Sequence, residues 1–423
     1  MRKLYSVIDK VYSKDNLLKA FKLVRRNNGA PGIDGETVQD FEAKLNVNIE
    51  FLHEALKTNR YEPSPVRRTE IEKPDGGTRP LGIPTVRDRI VQQAIVNIIE
   101  PEFDKDFHPS SYGYRKGRSQ HNAVAKAEVF MKKYELVYVA DMDLSKCFDT
   151  LDHELLMKEV AKKISDGKVL SLIESFLKAG VMEGNSFHMT EVGSPQGGVI
   201  SPLLCNVYLN VFDQKMKDKG IRIVRYADDI LIFAKDKATV GNYMAYAIKV
   251  LETELKLKVN KDKTKLTNLY EGVPFLGFVI RNSYVGVHPK RIKRFKDKIR
   301  QYTRRNNVTP LELIIKALNP VLRGWVNYYR AANIKSFLEE TMQWLRRRLR
   351  MIKMRQWKTY KAMHKEMKRK GIKGNGEKMD VRRWKNSKTH IIHMLMPNVY
   401  FEKLGLIDLT KTKVGILSSF YVG

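Results

Sequence analysis

Short strand patterns alternate with helical patterns over about the first 290 residues of the chain. Alternating apolar and polar residues predict a strand at Val66–Glu72, and the Gly-Gly pair in the following KPDGGT predicts a hairpin tip. Apolar and β-branched runs predict further strands at 134–144, 230–234 and 275–280. The strand at 230–234 is expected to pair with the residues that end at Tyr226, in a second hairpin.

Apolar residues at helical spacing predict helices between these strands. These helices are expected at 16–27, 88–99, 152–164, 169–179 and 243–257. The second is expected to end before Pro101, because a proline interrupts helical hydrogen bonding. The turn-rich GAPGIDG at 29–35 predicts a loop. This order of elements predicts an α+β domain with a mainly antiparallel sheet and helices on one side.

The pattern changes near residue 290, where helical periodicity continues without strands. The segment 291–370 holds 24 Lys and Arg against 5 Asp and Glu, a local net charge of +19. Three of the four tryptophans, Trp325, Trp344 and Trp357, also lie there. We therefore expect a separate basic helical domain that begins near residue 290.

The overall charge predicts a polyanionic partner. Lys and Arg number 78 and Asp and Glu 47, so the formal net charge is +31. Nucleic acid is the leading candidate, and a basic membrane-surface protein is the competing interpretation. The chain has no apolar run of about 18 residues and no lipidation motif, so no membrane partner is expected.

The chain length, the number of cysteines and the N-terminal sequence further limit the class of protein that is expected. The 423 residues, 43% of them hydrophobic, are sufficient for two or three domains with their own cores. Cys147 and Cys205 are the only cysteines, too few for a zinc site or a disulfide framework. The N-terminus has no apolar signal-peptide core. We expect a cytoplasmic protein, in which association with the bacterial nucleoid is possible in principle.

The block WLRRRLRMIKMRQWK at 344–358 is the strongest candidate for binding nucleic-acid phosphates. The residues expected to contact nucleic acid there are Trp344, Arg346, Arg347, Arg348 and Arg350. The four arginines lie within about one and a half helical turns, so they cannot all face one groove. Some of them are expected to pack inside the protein or to face solvent.

Two acidic strand ends point to metal chemistry. Asp228 and Asp229 stand side by side between apolar strand residues, and Asp141 and Asp143 end the strand upstream. Residues i and i+2 of a strand share a face, so adjacent strands would bring Asp143 towards Asp228 and Asp229. Two Mg²⁺ ions would relieve the repulsion among these carboxylates and would serve phosphoryl transfer. The alternative is that the two acids only close a surface turn.

Seven sequence blocks occur in an order that is specific to one family. They are TRPLGIPTVRDRIVQQA, SYGYRKGRSQHNA, VADMDLSKCFDTLDH, GSPQGGVISPLLCNVYLN, RYADDILIF, LKVNKDKTK and FLGF. With LRGWVNYYR, WLRRRLR and QWK, they make the chain resemble a group II intron-encoded reverse transcriptase, also called a maturase. The resemblance covers about residues 10 to 400.

The resemblance implies a right-hand polymerase fold of fingers, palm and a helical thumb, or maturase X domain. The expected divisions are an N-terminal extension at 1–60, fingers and palm at 61–290, the basic thumb at 291–390 and a short tail at 391–423. The tail shows no HNH endonuclease pattern, so the chain resembles the short members of the family that lack an endonuclease.

The resemblance also implies the roles of the palm residues. Asp143 matches the metal-binding aspartate of the first palm block, and Asp228 and Asp229 match the catalytic pair. The backbone carbonyl of Leu144 is expected to add a metal ligand, while Asp141 is the weaker candidate. Phe148 matches the bulky residue that would collide with a 2′-hydroxyl and so select deoxynucleotides.

Further residues are implied to bind the nucleotide. Lys73 and Arg79 match the fingers residues that hold the triphosphate, and Gln196 matches a residue beside the nucleotide or template. Lys263 matches a lysine that helps to protonate the pyrophosphate leaving group. Arg115 is expected near the template or the nucleotide.

These matches predict an RNA-directed DNA polymerase with two Mg²⁺ ions, for which Mn²⁺ is a possible substitute. Its expected partners are an RNA template, a DNA or RNA primer, dNTPs and a group II intron RNA whose splicing and mobility it assists. Two alternatives remain open: a freestanding reverse transcriptase recruited by its host for repair or defence, and mainly an RNA-binding splicing cofactor. The sequence does not give the oligomeric state.

Overall fold

The structure is a computed structural model that describes residues 3–72, 76–184, 186–189, 192–193, 197–372 and 380–422. Lys73 and Gln196, which were predicted to contact the nucleotide, lie outside the described residues. The chain divides into two compact units, Met1–Asn268 and Leu269–Gly423. Nowhere in the described ranges is a helix both long enough and apolar enough to cross a membrane.

The first unit combines helices with two sheets. Its helices in the described residues are α1 (Ile8–Tyr12), α2 (Lys14–Asn27), α3 (Val38–Ala43), α4 (Leu45–Lys57), α5 (Val86–Asp104), α6 (Gln120–Lys132), α7 (His153–Ala161), α8 (Gly167–Lys178), α9 (Ser201–Asp218) and α10 (Lys237–Lys249). Its strands are β1 (Val66–Glu72), β2 (Thr78–Ile83), β3 (Tyr138–Asp143), β4 (Val181–Glu183), β5 (Ser186–His188), β6 (Arg222–Tyr226), β7 (Asp229–Ala234) and β8 (Lys265–Asn268).

The central sheet has the strand order β6-β7-β3-β8, and all neighbouring strands are antiparallel. This confirms the predicted antiparallel α+β fold. Consecutive β7 residues from Ile230 to Ala234 are all buried, so both faces of the strand are covered. The expectation of helices on one side was therefore wrong for this strand, since its continuous apolar run is typical of two covered faces.

A second sheet has the order β2-β1-β4-β5. The predicted hairpin of β1 and β2 is present, and β4 adds to β1 in parallel. At the described part of its tip, Gly76 and Gly77 have φ values of +96° and +78°. These left-handed conformations favour glycine because it lacks a Cβ.

Several predicted boundaries in this unit differ from the structure; the helix expected at 243–257, for example, is α10 at Lys237–Lys249 followed by a short π-helix at Val250–Glu254. Two further differences have a clear physical reason. The helix expected to end before Pro101 continues through it to Asp104 as α5. Ile99 and Phe103 are buried on either side of the proline, and this packing offsets the lost hydrogen bond. The strand expected from residue 134 starts at Tyr138, because the backbone before it hydrogen-bonds back to the end of α6.

The second unit begins with a small sheet and continues as helices. Its strands are β9 (Val273–Phe275), β10 (Phe278–Ile280) and β11 (Val285–Val287). Its helices in the described residues are α11 (Pro289–Tyr302), α12 (Leu311–Tyr329), α13 (Lys335–Gln356), α14 (Tyr360–Arg369), α15 (His390–Leu395) and α16 (Asn398–Lys403).

The single strand predicted at 275–280 is a tight hairpin. Its turn is formed by Leu276 and Gly277, with φ values of +48° and +84°, and it reverses β9 into β10. Phe278 of β10 stacks on Tyr328 of α12 with ring centroids 5.7 Å apart. This packing explains why the small sheet belongs with the helices and why the two units divide before residue 290.

Candidate active site

A two-residue turn between β6 and β7 carries the acidic pair. β6 ends at Tyr226 and β7 begins at Asp229, so Asp228 lies in the turn itself. Ala227, the other turn residue, has a left-handed φ of +57°. In the central sheet, Asp143 at the end of β3 pairs directly with Asp229. The strand register therefore brings Asp143, Asp228 and Asp229 to one edge of the sheet, as the sequence predicted.

The carboxylates influence each other electrostatically. Burial, followed by the negative charges of Asp228, Asp143 and Asp141, raises the pKa of Asp229 to about 7. Burial and the charge of Asp143 also raise the pKa of Asp228. Burial raises the pKa of Asp141 to about 6, although Lys265 acts against this shift. Such shifts are typical of acids that are crowded together and shielded from water.

Asp143 is held by two neighbours from the segment that precedes β8. Its Oδ2 accepts hydrogen bonds from Lys263 Nζ at 3.0 Å and from Asn260 Nδ2 at 3.3 Å. The backbone N–H of Asn260 also donates to the Asp143 carbonyl at 2.8 Å. The bond to Asp143 raises the pKa of Lys263. Lys263 therefore lies in the carboxylate cluster, and Asn260 is a contact that the sequence reasoning missed.

The donor set fits a hard divalent cation. The pKa values of Asp228 and Asp229 are raised, and Asp143 binds an ammonium group. Three such neighbouring carboxylates form a site where added positive charge is favourable. In the described part of the chain, no three His, Cys, Asp or Glu side chains already stand in a metal-holding arrangement. The Lys263 ammonium already pairs with Asp143 Oδ2, one of the oxygens that would hold a cation.

The backbone around Leu144 is also suited to the predicted ligand role. Leu144 bridges Val259, and the hydrogen bonds on either side of it use the Asp143 carbonyl and the Ser145 N–H. The Leu144 carbonyl takes no part in these two bonds. The metal role of this carbonyl stays a prediction.

Two aromatic rings contact each other, and one of them lies near the carboxylates. Phe148, in the short 3₁₀ helix Cys147–Thr150, meets Tyr114 edge to face with ring centroids 6.0 Å apart. Tyr114 is 52% exposed and has a φ of +56°. Burial and the charge of Asp228 raise the pKa of Tyr114, which places this ring near the turn that carries Asp228. Tyr114 was missed, although its position in the SYGYRKGRS block was a signal that could have identified it.

Among the predicted nucleotide contacts, Arg79 is exposed on β2, and its charge lowers the pKa of Asp228 against the effect of burial.

The loop that begins at Gly197 is anchored by Gln92 of α5. The side-chain oxygen of Gln92 accepts hydrogen bonds from Val199 N at 2.7 Å and Ile200 N at 3.3 Å. At Gly197, φ is +119° and a Cβ would collide with the Gly82 carbonyl of β2. This loop therefore lies directly against the β1–β2 hairpin.

Arg115 has a structural role in place of the predicted nucleotide contact. Only 8% of this residue is exposed, and its Nε donates to Asp104 at 2.6 Å. Its two terminal nitrogens donate to the carbonyls of Asp104, His108 and Ser111. The guanidinium is thus used to close the loop after α5.

Most of the predicted nucleic-acid contacts on α13 also serve packing. Arg346 pairs with Asp408 at 3.1 Å, and Arg350 donates to the Met396 carbonyl at 2.9 Å. Arg346 and Arg350 are both buried, which corrects the prediction that they face nucleic acid.

Arg347 and Arg348 of α13 are partly accessible. Arg348 donates to Thr303 and lies 5.2 Å from the ring centre of Trp344, so both are tied to the fold. Arg347 lies 4.4 Å above the ring of Trp384, which is 54% exposed. Trp384 was not singled out in the sequence, because it lies outside the basic helical periodicity.

Two family descriptions match the chain. Residues 71–280 match "Reverse transcriptase (RNA-dependent DNA polymerase)", and residues 292–371 match "Group II intron, maturase-specific domain".

Three curated proteins illustrate the similarity. Protein YkfC of Escherichia coli (strain K12) is 36% identical over 300 residues, which cover 62% of this chain and 79% of YkfC. Group II intron-encoded protein LtrA of Lactococcus lactis subsp. cremoris is 28% identical over 417 residues, covering 74% of this chain and 68% of LtrA. The putative COX1/OXI3 intron 2 protein of Saccharomyces cerevisiae is 28% identical over 337 residues, covering 64% of this chain and 39% of that protein.

These matches confirm the resemblance on which the fold and the enzyme class were predicted. The acidic sheet edge lies in the segment that matches the polymerase family, and the basic helices α11 to α14 lie in or beside the segment that matches the maturase domain. The chain belongs to the group II intron-encoded reverse transcriptases and is an RNA-directed DNA polymerase.

Proposed function

We propose that this reverse transcriptase extends a DNA or RNA primer along an RNA template with dNTPs, using Asp143, Asp228 and Asp229 as its catalytic residues. The observation that supports this assignment is the β3–β7 register, which pairs Asp143 with Asp229 beside Asp228 in the turn. We also propose that the same protein assists the splicing and mobility of a group II intron, whose RNA is a partner that the maturase domain implies.

Family membership implies a divalent metal ion. Our proposal is two Mg²⁺ ions, with Mn²⁺ as a substitute, held by the carboxylates of Asp143, Asp228 and Asp229 and by the Leu144 carbonyl. Bound there, the metal would supply electrostatic stabilisation of the attacking and leaving oxygens in phosphoryl transfer.

Lys263 is proposed to deliver a proton to the leaving group. Its ammonium already lies 3.0 Å from Asp143 Oδ2, and this contact raises its pKa, so it is protonated at neutral pH. To act, Nζ exchanges the Asp143 oxygen for an oxygen of the departing pyrophosphate and transfers its proton there. Arg79 and Lys73 are proposed to hold the triphosphate, and Gln196 is proposed to contact the nucleotide or the template.

Phe148 is proposed to select the sugar, together with Tyr114. The edge-to-face contact holds Phe148 against Tyr114, whose own pKa is raised by burial and by the charge of Asp228. A rigid ring at this position would exclude a 2′-hydroxyl and admit a deoxyribose.

Replacement of Asp228 by Ala tests the catalytic assignment. Asp228→Ala removes a carboxylate from the cluster, so primer extension on an RNA template should fall by several orders of magnitude. RNA affinity, measured by filter binding, should remain that of the wild type, because the exposed cations are unchanged.

Asp218→Ala is the matched control, since Asp218 is an exposed aspartate at the end of α9. It should extend primers at the wild-type rate. Near-normal extension by Asp228→Ala would contradict the catalytic assignment, and loss of extension in both variants would indicate a general loss of folding.

A further inference from the structure

An ion pair lies completely buried next to the catalytic turn. Arg225 of β6 and Asp213 of α9 are both 0% exposed. Arg225 Nε donates to the two Asp213 oxygens at 2.8 and 3.0 Å, and its Nη2 donates to Oδ2 at 2.6 Å. This is a forked contact, in which two guanidinium nitrogens meet one carboxylate.

Stability alone is a weak explanation for such a pair. Removing two charges from water carries a large desolvation penalty, and well-packed apolar residues often stabilise a core equally well. A buried ion pair can instead specify one conformation of the groups around it. The remaining donors of Arg225 show which groups these are.

The second terminal nitrogen of Arg225 reaches the catalytic turn. Nη1 donates to the Ala227 carbonyl at 3.1 Å and to Asn206 Oδ1 at 3.0 Å. Asn206 and Asp213 lie seven residues apart on α9, so two helical turns bring both side chains to the same face. α9 thus holds Arg225 at two points, and Arg225 holds the residue that directly precedes Asp228.

The turn needs such support because of its backbone conformation. Ala227 has a left-handed φ of +57°, which residues with a Cβ adopt only when their surroundings enforce it. Gly113 packs against the other side of the turn, where a Cβ would collide with the Ala227 backbone nitrogen. Asn206 joins both sides, since its Nδ2 donates to the Gly113 carbonyl at 2.8 Å.

We propose that Arg225, Asn206 and Asp213 are positioning residues that fix the left-handed turn at Ala227 and thereby present Asp228 and Asp229 in a metal-binding arrangement. The inference rests on the proposed role of these two carboxylates. Arg225 acts through the backbone of Ala227 and has no proposed contact with substrate. Gly113 contributes by leaving room for the turn.

Asn206→Ala is the principal test, and Asn16→Ala is its matched control. Asn206→Ala removes one partner of Arg225 without leaving a bare charge in the core. Asn16 is also a buried asparagine, and its Nδ2 donates to the Val11 and Ala94 carbonyls away from the turn. Both variants should lower the melting temperature of the full chain.

Only Asn206→Ala should affect the metal site. Mn²⁺ binding to the full chain without nucleic acid, followed by electron paramagnetic resonance, should weaken by about tenfold, as for other residues that orient metal ligands. Hydrogen exchange of the 225–231 peptide should be faster in the metal-free variant. In Asn16→Ala, Mn²⁺ affinity and exchange in this peptide should match the wild type.

Gly113→Ala keeps every polar group of the network and displaces only the turn. It should also weaken Mn²⁺ binding, and it decides the test if Asn206→Ala does not fold. Wild-type Mn²⁺ affinity in either folded variant would overturn the proposal and leave the network a purely structural role. Asp228→Ala separates the two hypotheses. If Asp228→Ala binds Mn²⁺ like the wild type, the proposed metal assignment itself fails. If Asp228→Ala binds Mn²⁺ more weakly while Asn206→Ala and Gly113→Ala bind it like the wild type, only the positioning role is rejected.

Discussion

Phe148 and Tyr114 show what single residues add to the acidic cluster. Carboxylates and a lysine provide the charges of a polymerase site, but they do not distinguish a ribose from a deoxyribose. Phe148 is half-buried. Among the described residues, its one aromatic contact is the edge-to-face contact with Tyr114. The ring is therefore held in place while part of it remains accessible.

Phe148→Val should relax sugar selection. A smaller side chain leaves room for a 2′-hydroxyl, so the ratio of rNTP to dNTP incorporation should rise by about tenfold or more. Single-nucleotide extension with each substrate measures this ratio. Tyr114→Phe is the control, because it keeps the ring contact and should keep the wild-type ratio; an unchanged ratio in Phe148→Val would show that this ring only packs.

The sequence identified residues whose role depends on local pattern and missed those that depend on distant contacts. Asp228 and Asp229 are conspicuous because charged residues interrupt an apolar hairpin. By contrast, Asn260 and Tyr114 reach the site only through the pairing of segments far apart in the chain. The β3–β7 register that joins Asp143 to Asp229 was expected from the acids alone, and hydrophobic periodicity does not fix it.

Helix α13 shows the same limit at the scale of an element. Its apolar periodicity predicted a helix, and α13 is one, over Lys335–Gln356. Which arginines face inward depends on partners that come later in the chain, such as Asp408 for Arg346 and Met396 for Arg350. Both partners lie in the segment 391–423, which was predicted to be a short tail, so this segment is part of the packing of the second unit.

Arg350→Ala should therefore destabilise the second unit. Arg350 is buried, and it donates to the Met396 carbonyl and to Asn398 Oδ1, so its loss leaves acceptors unpaired. We expect the free energy of unfolding to fall by about 2–3 kcal/mol. Chemical denaturation measures the change. Arg355→Ala, which removes an exposed arginine of the same helix, should change it by no more than about 0.5 kcal/mol.

For RNA binding by the whole molecule, we expect the net charge of +31 to be more important than the number of arginines on one helix. Several arginines of α13 are used in packing (Arg346, Arg348 and Arg350). The exposed lysines of other elements are therefore our candidates for contacts with RNA phosphates. α11 is a clear case: Phe295 and Ile299 are buried, while Lys293 and Lys298 are exposed. An amphipathic helix of this kind anchors its apolar face in the unit and presents its cations to solvent.

Replacement of Lys293 and Lys298 by Ala should weaken RNA binding for all sequences alike. For each phosphate contact that is lost, fewer counterions are released when the RNA binds. The slope of log affinity against log salt should therefore flatten by about 0.7 per lost contact on single-stranded RNA. Titrations of labelled RNA at several salt concentrations measure both quantities.

The control removes the same number of charges elsewhere. Lys235 and Lys237 are exposed in the first unit, next to the end of β7 that is opposite to Asp229. Their double replacement by Ala changes the net charge equally, so any effect of total charge alone should appear in both variants. If the two double variants have the same salt slope, the positive charge acts as a diffuse field. A flatter slope only after the α11 replacements would instead assign direct phosphate contacts to this helix.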